Sequence, residues 1–294
     1  MNKKNITIPV LKRMKQNGDK ISMLTAYDFL FAQLMDECDI EMLLVGDSLG
    51  MVFQGEDSTL PVTMEDIIYH TRAVKRAVKH AMVVADMPFM SYQVTPEEAV
   101  RNAGRLMKEG GADAVKLECT GDTKTIIEKI VNAGIPVMGH VGLGPQSCKQ
   151  LGGHTVQGKT PKAIMKIWRD AFDVEKAGAF SVVVEAVPWP VAKRITEVLH
   201  IPTIGIGAGP HCDGQVLVYA DMVGLFTAFQ PHFVRRFGQL GEEAKKAFIN
   251  YKKSVKNGSF PTLDESYSID NKVLEGLNAI RSDSSEYDER NTSH

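Results

Sequence analysis

The chain has 294 residues, 44% hydrophobic and 24% charged, with a formal net charge of -2. That is the composition of an ordinary globular protein, and its near-neutral balance offers no attraction to nucleic acid or to an anionic membrane surface. No apolar run approaches the ~18 residues needed to cross a bilayer, so a cytoplasmic protein outside the membrane is expected.

Met1 to Lys15 is basic but lacks the uninterrupted apolar core of a secretory signal. Its unopposed lysines and Arg13 would allow an amphipathic transit peptide, whereas Ile8 and Leu11 fit equally a short helix closing a barrel floor. Beyond it, strand candidates fall near Ile21–Thr25, Met42–Gly46, Met82–Asp86, Ala114–Glu118, Pro136–His140, Ser181–Glu185, Thr203–Gly207 and Met222–Phe226. They are short, apolar and mostly not alternating, as parallel strands covered on both faces should be.

Helical spacing separates these strands. Thr63 opens one helix with Glu65 and Asp66 in its first turn, and Thr95-Pro96-Glu97-Glu98 opens another with a cap, a first-position proline and acids matched to the dipole. Gly111, Gly134 and Gly178 fall just past helices, where a left-handed residue is needed. Strand–helix alternation repeated to this extent predicts a closed (β/α)8 TIM barrel rather than an open doubly wound sheet.

The barrel and its amino-terminal segment are expected to occupy residues 1–263. Residues 264–294 carry eight acids against three basic residues and form an acidic extension, expected to be largely disordered beyond a short helix over Val273–Ile280. Two connections are long and rich in glycine, Ser48–Val62 after the second strand and Gly142–Thr160 after the fifth. Such loops on the carboxyl face of a barrel usually cover substrate.

Polar residues sit where the apolar strands stop: Asp47, Asp86, Lys116 with Glu118, His140 and Glu185. The carboxyl ends of successive strands are where a barrel presents its chemistry. Adjacent strands lie ~4.8 Å apart, so Asp47, Asp86 and Glu118 can converge on one point. An all-carboxylate set favours a hard cation, Mg2+ before Zn2+. The competing reading, that each acid merely caps a following helix, suits one such acid better than three in succession.

Lys116 projects to the same side as Glu118 and can hold an oxygen of an anionic substrate, or pair with Asp86 or Glu118. Glu185, placed among Val182, Val183, Val184, Val187 and Trp189, is expected to have a raised pKa suited to a general base. His140 is either a substrate contact or structural. The Gly205-Ile206-Gly207-Ala208-Gly209 run fails the dinucleotide fingerprint, because Pro210 holds the third glycine position, and reads instead as close backbone approach to a ligand. Cys38, Cys119, Cys148 and Cys212 have no metal-finger spacing and read as free thiols, with Cys119 a pocket candidate beside Glu118.

Several blocks carry a family resemblance. Gly46-Asp47-Ser48-Leu49-Gly50-Met51, Asp57 to Thr63, Ala85-Asp86-Met87-Pro88-Phe89 and Val115-Lys116-Leu117-Glu118 are similar to the 3-methyl-2-oxobutanoate (ketopantoate) hydroxymethyltransferase family. So are Gly139-His140-Val141-Gly142-Leu143, Val184-Glu185-Ala186-Val187-Pro188 and the glycine run from Ile204 to Gly209. The blocks run in order from about Ile21 to Pro261.

The resemblance implies a barrel of the phosphoenolpyruvate-mutase-like group that binds Mg2+ and assembles as a homodecamer. It implies transfer of a hydroxymethyl unit from 5,10-methylenetetrahydrofolate, the cosubstrate, to 3-methyl-2-oxobutanoate, through a magnesium-stabilised enolate, in pantothenate biosynthesis. By motif, Asp47, Asp86 and Glu118 take the metal positions. Asp47, Ser48, Asp86 and Lys116 take those that contact the oxo acid, where His140 is a further candidate, and Glu185 is the proton acceptor. The sequence departs from the family at Ala220-Asp221, expected just before the eighth strand where His-Asp is usual, at Gly144 where Thr or Ser is commoner, and at His154 where an aromatic is commoner.

Two other readings compete. A lyase of the isocitrate type would carry a lid cysteine in a Lys-Cys-Gly-His setting, and Cys148 here sits in Ser-Cys-Lys. A non-enzymatic assembly subunit would have lost the acids, and Asp47, Asp86, Glu118 and Glu185 are all present.

Overall fold

A computed structural model of the chain describes residues 5–119, 122–153, 155–226 and 230–274. It divides into two compact units, Met1–Gly241 and Glu242–His294. The first holds a closed, all-parallel barrel with strand order β1-β2-β3-β4-β5-β6-β7-β8, closed by pairing of β8 with β1. Its elements are α1 (Ile8–Asn17), β1 (Ile21–Thr25), α2 (Phe29–Glu37), β2 (Met42–Val45), α3 (Met64–Ala77), β3 (Met82–Asp86), α4 (Pro96–Arg105), β4 (Ala114–Glu118), α5 (Thr123–Asn132) and β5 (Val137–Gly142). They continue as α6 (Cys148–Leu151), α7 (Pro161–Lys176), β6 (Ser181–Glu185), α8 (Trp189–Val198), β7 (Thr203–Ile206), β8 (Gly214–Leu217) and α9 (Tyr219–Met222).

Strand parity separates two cores. Val83, Ala85, Val115, Leu117, Val182 and Val184 face outward and share a core with helical residues such as Ile67, Ile127 and Ile195. Met82, Val84, Ala114, Met138 and Val183 face inward and fill the barrel, with Leu11 of α1 buried among them. The amino-terminal helix thus plugs the barrel floor, as its apolar residues allowed. The same parity carries the inward face up each strand, from Val84 to Asp86, from Ala114 to Lys116 and Glu118, from Met138 to His140 and from Val183 to Glu185.

Local signals act as expected. Thr63 and Asp66 form a capping box, the Asp66 N–H donating to Thr63 Oγ1 (3.2 Å) and the Thr63 N–H to Asp66 Oδ2 (2.9 Å). Thr95 Oγ1 accepts from the Glu98 N–H at 3.1 Å ahead of α4. Gly111, Gly134 and Gly178 close their helices at φ of +79°, +84° and +91°.

The eighth strand is a correction. It is Gly214–Leu217 and not Met222–Phe226; Met222 ends α9, and Leu225 and Phe226 follow in a loop. No helix separates β7 from β8, so the expected alternation pointed past the true strand. Its inward residue is Val216, while Gln215 is exposed, which weakens the apolar signal. Gly214 is needed because a Cβ there would overlap the Ile21 carbonyl oxygen of β1. Ala220-Asp221 therefore follows β8 and lies in α9.

The second unit is built on α10 (Leu240–Lys256), which begins at the unit boundary. Residues 271–274 are helical, two positions ahead of the expected start, and residues 275–294, with the remainder of the expected helix and tail, lie outside the described residues. Among the described residues no helix is long and apolar enough to cross a membrane.

Candidate active site

At the carboxyl end of the barrel, Asp47, Ser48, Asp86, Lys116, His140 and Glu185 line one cavity of about 100 Å³. Register brings them there: Asp86 of β3 is the strand partner of Lys116, Glu118 of β4 that of His140, and Gly142 of β5 that of Glu185. A larger cavity of about 820 Å³ is lined by Lys20, Gln215, Phe233 and Phe237 among others, and holds none of these six residues.

Asp86 is the organising acid. Its Oδ1 takes the Lys116 ammonium at 2.7 Å, and its Oδ2 accepts the Asp47 N–H at 3.0 Å. Both side chains of the ion pair are almost fully enclosed, at 7% and 4% exposure. Pairing holds the Lys116 ammonium well above its usual range, against desolvation that would lower it; Asp86, Asp47 and Glu118 all contribute. Asp47 lacks such a partner. Burial, and then repulsion from Asp86, push its carboxyl up to about 7. Ser48 shares a 2.7 Å hydrogen bond with the Tyr27 hydroxyl.

Glu118 is the third acid of the cluster but does not line the cavity. Its Oε1 accepts the Gln146 N–H at 3.1 Å, while Oε2 is buried without a partner. Burial and the Asp47 charge raise its carboxyl well above the ordinary range. Among the described residues, no three acids, histidines or cysteines are arranged as they stand to hold a metal ion.

Glu185 differs from its expected setting. Val182, Val184 and Val187 pack outward in the helix-facing core, and Trp189 is exposed. What faces the carboxylate is His140, with Nε2 at 3.0 Å from Glu185 Oε2. The approach is off the hydrogen-bonding direction, so both imidazole nitrogens stay without a hydrogen bond. Of the valines expected around it, only Val183 lines the same cavity.

Gln146 was not singled out in the sequence. It sits in the short 3-10 turn Pro145–Ser147 and ties three strand ends together. Its Nε2 donates to Asp47 Oδ2 (2.9 Å) and to the Met87 carbonyl (3.0 Å), and its Oε1 accepts from the Tyr92 hydroxyl (2.8 Å). A Pro-Gln-Ser step inside the glycine-rich loop after β5 was the only local signal.

The glycine run after β7 has a packing origin. Gly207 and Gly209 have φ of +61° and +83°, and side chains at these positions would run into Phe233 and Trp189. Cys119 is no nucleophile at neutral pH, because burial pushes its thiol up to about 12. His154 lies outside the described residues.

The family model for ketopantoate hydroxymethyltransferase matches residues 5–263. The chain belongs to the ketopantoate hydroxymethyltransferase family. It is 54% identical over 271 residues to the 3-methyl-2-oxobutanoate hydroxymethyltransferase of Clostridioides difficile, covering 92% of this chain and 98% of that one. It is 56% identical over 264 residues to the enzyme of the same name from Syntrophus aciditrophicus, covering 90% and 97%.

Membership makes this chain a hydroxymethyltransferase of pantothenate biosynthesis. Among solved structures, a phosphonopyruvate hydrolase complexed with oxalate and Mg2+ aligns at TM-score 0.57 and 11% identity, covering 95% of this chain and 98% of that one. A 2,3-dimethylmalate lyase of the phosphoenolpyruvate mutase/isocitrate lyase superfamily aligns at TM-score 0.55 and 16% identity, with the same coverages. At these identities the likeness shows a shared fold alone.

Proposed function

We propose that this chain transfers the one-carbon unit of 5,10-methylenetetrahydrofolate to 3-methyl-2-oxobutanoate as a hydroxymethyl group, consuming one water and giving 2-dehydropantoate and tetrahydrofolate, in a Mg2+-dependent reaction with Glu185 as the proton acceptor. The observation that carries the reading is the gathering of Asp47, Ser48, Asp86, Lys116, His140 and Glu185 around one small cavity in a chain of this family.

The residues fit a hard divalent cation. Glu118 Oε2 is a buried oxygen without a partner, and Asp47 and Glu118 are both pushed toward protonation by a cluster that Lys116 alone does not neutralise. Asp47 and Asp86 would hold the ion, with Glu118 as the third acid of the set. When bound, it would supply Lewis-acid polarisation of the oxo acid's carboxylate and ketone oxygens.

The chain's own groups do the rest. Lys116, fixed by Asp86, presents a positive charge to the anionic substrate. Ser48, whose hydroxyl is oriented by Tyr27, offers a further polar contact at the cavity wall. Glu185 takes the C3 proton onto its carboxylate, and His140 beside it steadies the charge that changes there. The small cavity suits a short branched oxo acid, leaving the folate to approach from the mouth.

The assembly is a homodecamer acting in the cytoplasm, with residues 1–263 as the catalytic part and 264–294 as an appendage. An assay of oxo-acid-dependent hydroxymethyl transfer from methylenetetrahydrofolate, run with and without EDTA, tests the central reading. Turnover unaffected by EDTA would remove the metal from it, and no turnover with this oxo acid would remove the substrate.

A further inference from the structure

Gly144 has an ordinary extended backbone, with φ of -104° and ψ of 117°, so nothing in its conformation requires glycine. Space requires it. A Cβ at this position would overlap Glu118 Oε2 and stand 2.9 Å from Glu118 Cδ, and no other group comes so near. The Glu118 carboxylate therefore occupies the volume that any other residue at 144 would fill. Two residues on, the Gln146 N–H holds Oε1 in that place at 3.1 Å, and the Gln146 side chain binds Asp47 Oδ2 at 2.9 Å. One turn after β5 thus fixes Glu118 by room at 144 and by a hydrogen bond at 146. It fixes Asp47 through the same amide side chain.

We infer that Gly144 is a positioning residue for Glu118: the missing side chain lets this acid hold its carboxylate back beneath the β5 loop, off the wall of the substrate cavity. The inference rests on the reading of Asp47, Asp86 and Glu118 as the acids of the cation site. The overlap is with the far end of a flexible side chain and not with backbone, so a methyl group at 144 displaces the carboxylate more cheaply than it disturbs the barrel. Glu118 shares the inward face of β4 with Lys116, so a displaced carboxylate moves toward the barrel mouth, where Asp47 and Asp86 line the cavity. Without a cation it adds repulsion there; with one it adds a ligand.

The test is a double-mutant cycle with Gly144→Ala and Glu118→Ala, each alone and together, read by thermal melting in EDTA and by calorimetric Mg2+ binding without substrate. Gly144→Ala should lower the melting temperature in EDTA by several degrees and tighten Mg2+ by roughly threefold or more, an effect within the usual range for coupled neighbours. Both effects should vanish once Glu118 is alanine, because no carboxylate remains to be displaced.

Equal effects in the two backgrounds, or unchanged Mg2+ affinity in Gly144→Ala, would overturn the inference. If Glu118→Ala does not fold, a crystal structure of Gly144→Ala decides by whether the Glu118 carboxylate has left its place beside residue 144. A wild-type protein that binds no Mg2+ would instead remove the metal reading, while the melting cycle in EDTA would still decide whether Gly144 positions Glu118.

Discussion

His140 Nε2 lies 3.0 Å from Glu185 Oε2, a contact between adjacent strands that sets an imidazole beside the proposed base. In β5 and β6 these two residues share the inward face, His140 one turn of the pleat below Gly142, the register partner of Glu185. Glu185→Gln should therefore lose solvent deuterium exchange at C3 of 3-methyl-2-oxobutanoate by ~10²-fold or more, the usual worth of a positioned base. Proton NMR of the oxo acid reads this directly. Exchange at the wild-type rate in Glu185→Gln would hand the role to another group, with His140 next in line.

Asp86→Ala should abolish Mg2+ binding measured by calorimetry. It should also destabilise the fold, because Lys116 is left as a buried cation without its partner and the Asp47 N–H without its acceptor. Breaking one side of a buried pair typically costs ~3–5 kcal/mol. Removal of carboxylate repulsion does not offset that loss. A double variant, Asp86→Ala with Lys116→Met, should recover part of the stability and none of the Mg2+ affinity. Wild-type Mg2+ affinity in Asp86→Ala would exclude it as a ligand.

The pH dependence of the metal-free protein follows from Asp47. Its carboxyl is raised from 3.8 to about 7, so between those values the folded chain keeps a proton that the unfolded chain has lost. Stability from this group is thus greatest in acid and falls as pH rises toward 7, by no more than ~4 kcal/mol. Melting in EDTA should show the decline from pH 3.8 up to about 7 and none from this group above it, and saturating Mg2+ near neutral pH should reverse it by binding the ionised form. A melting temperature that rises over that interval in EDTA, with Asp47→Asn showing the same rise, would contradict the assignment.

The loops after β2 and β5 are expected to close over the substrate. Within the first, Gly50–Gln54 forms a helical turn with Gly50 buried; within the second, Gln146 is buried already. Movement on binding should therefore concentrate in the outer parts, residues 55–58 and 147–153. Hydrogen exchange there should slow when oxo acid and Mg2+ bind together. Exchange that is unchanged in both stretches would rule out closure.

Much of this site was legible in the chain because a parallel barrel obeys simple rules. Apolar runs of strand length, each ending in a polar residue, placed Asp86, Lys116, Glu118 and Glu185 at strand ends, and alternation along a strand turned them inward. Thr63 and Thr95 marked helix starts through caps that act within one turn. The eighth strand was missed because Gln215 interrupts its apolar pattern and no helix precedes it.

Other features depended on contacts between distant segments. Nothing near Glu185 announces that His140 will stand beside it, and Val182, Val184 and Val187 point the other way. Gln146 meets Asp47 across 99 positions, and Gly144 is explained only by the Glu118 carboxylate that fills its side-chain space. The sequence by itself determined the barrel, its inward-facing acids and the family, because periodicity, caps and strand-end motifs are written in neighbouring residues. Which acid pairs with the lysine, which is held back and which meets the histidine was decided only by the tertiary structure. Those partnerships rest on strand register and on the volume left by side chains packed from elsewhere in the chain, and neither is encoded locally.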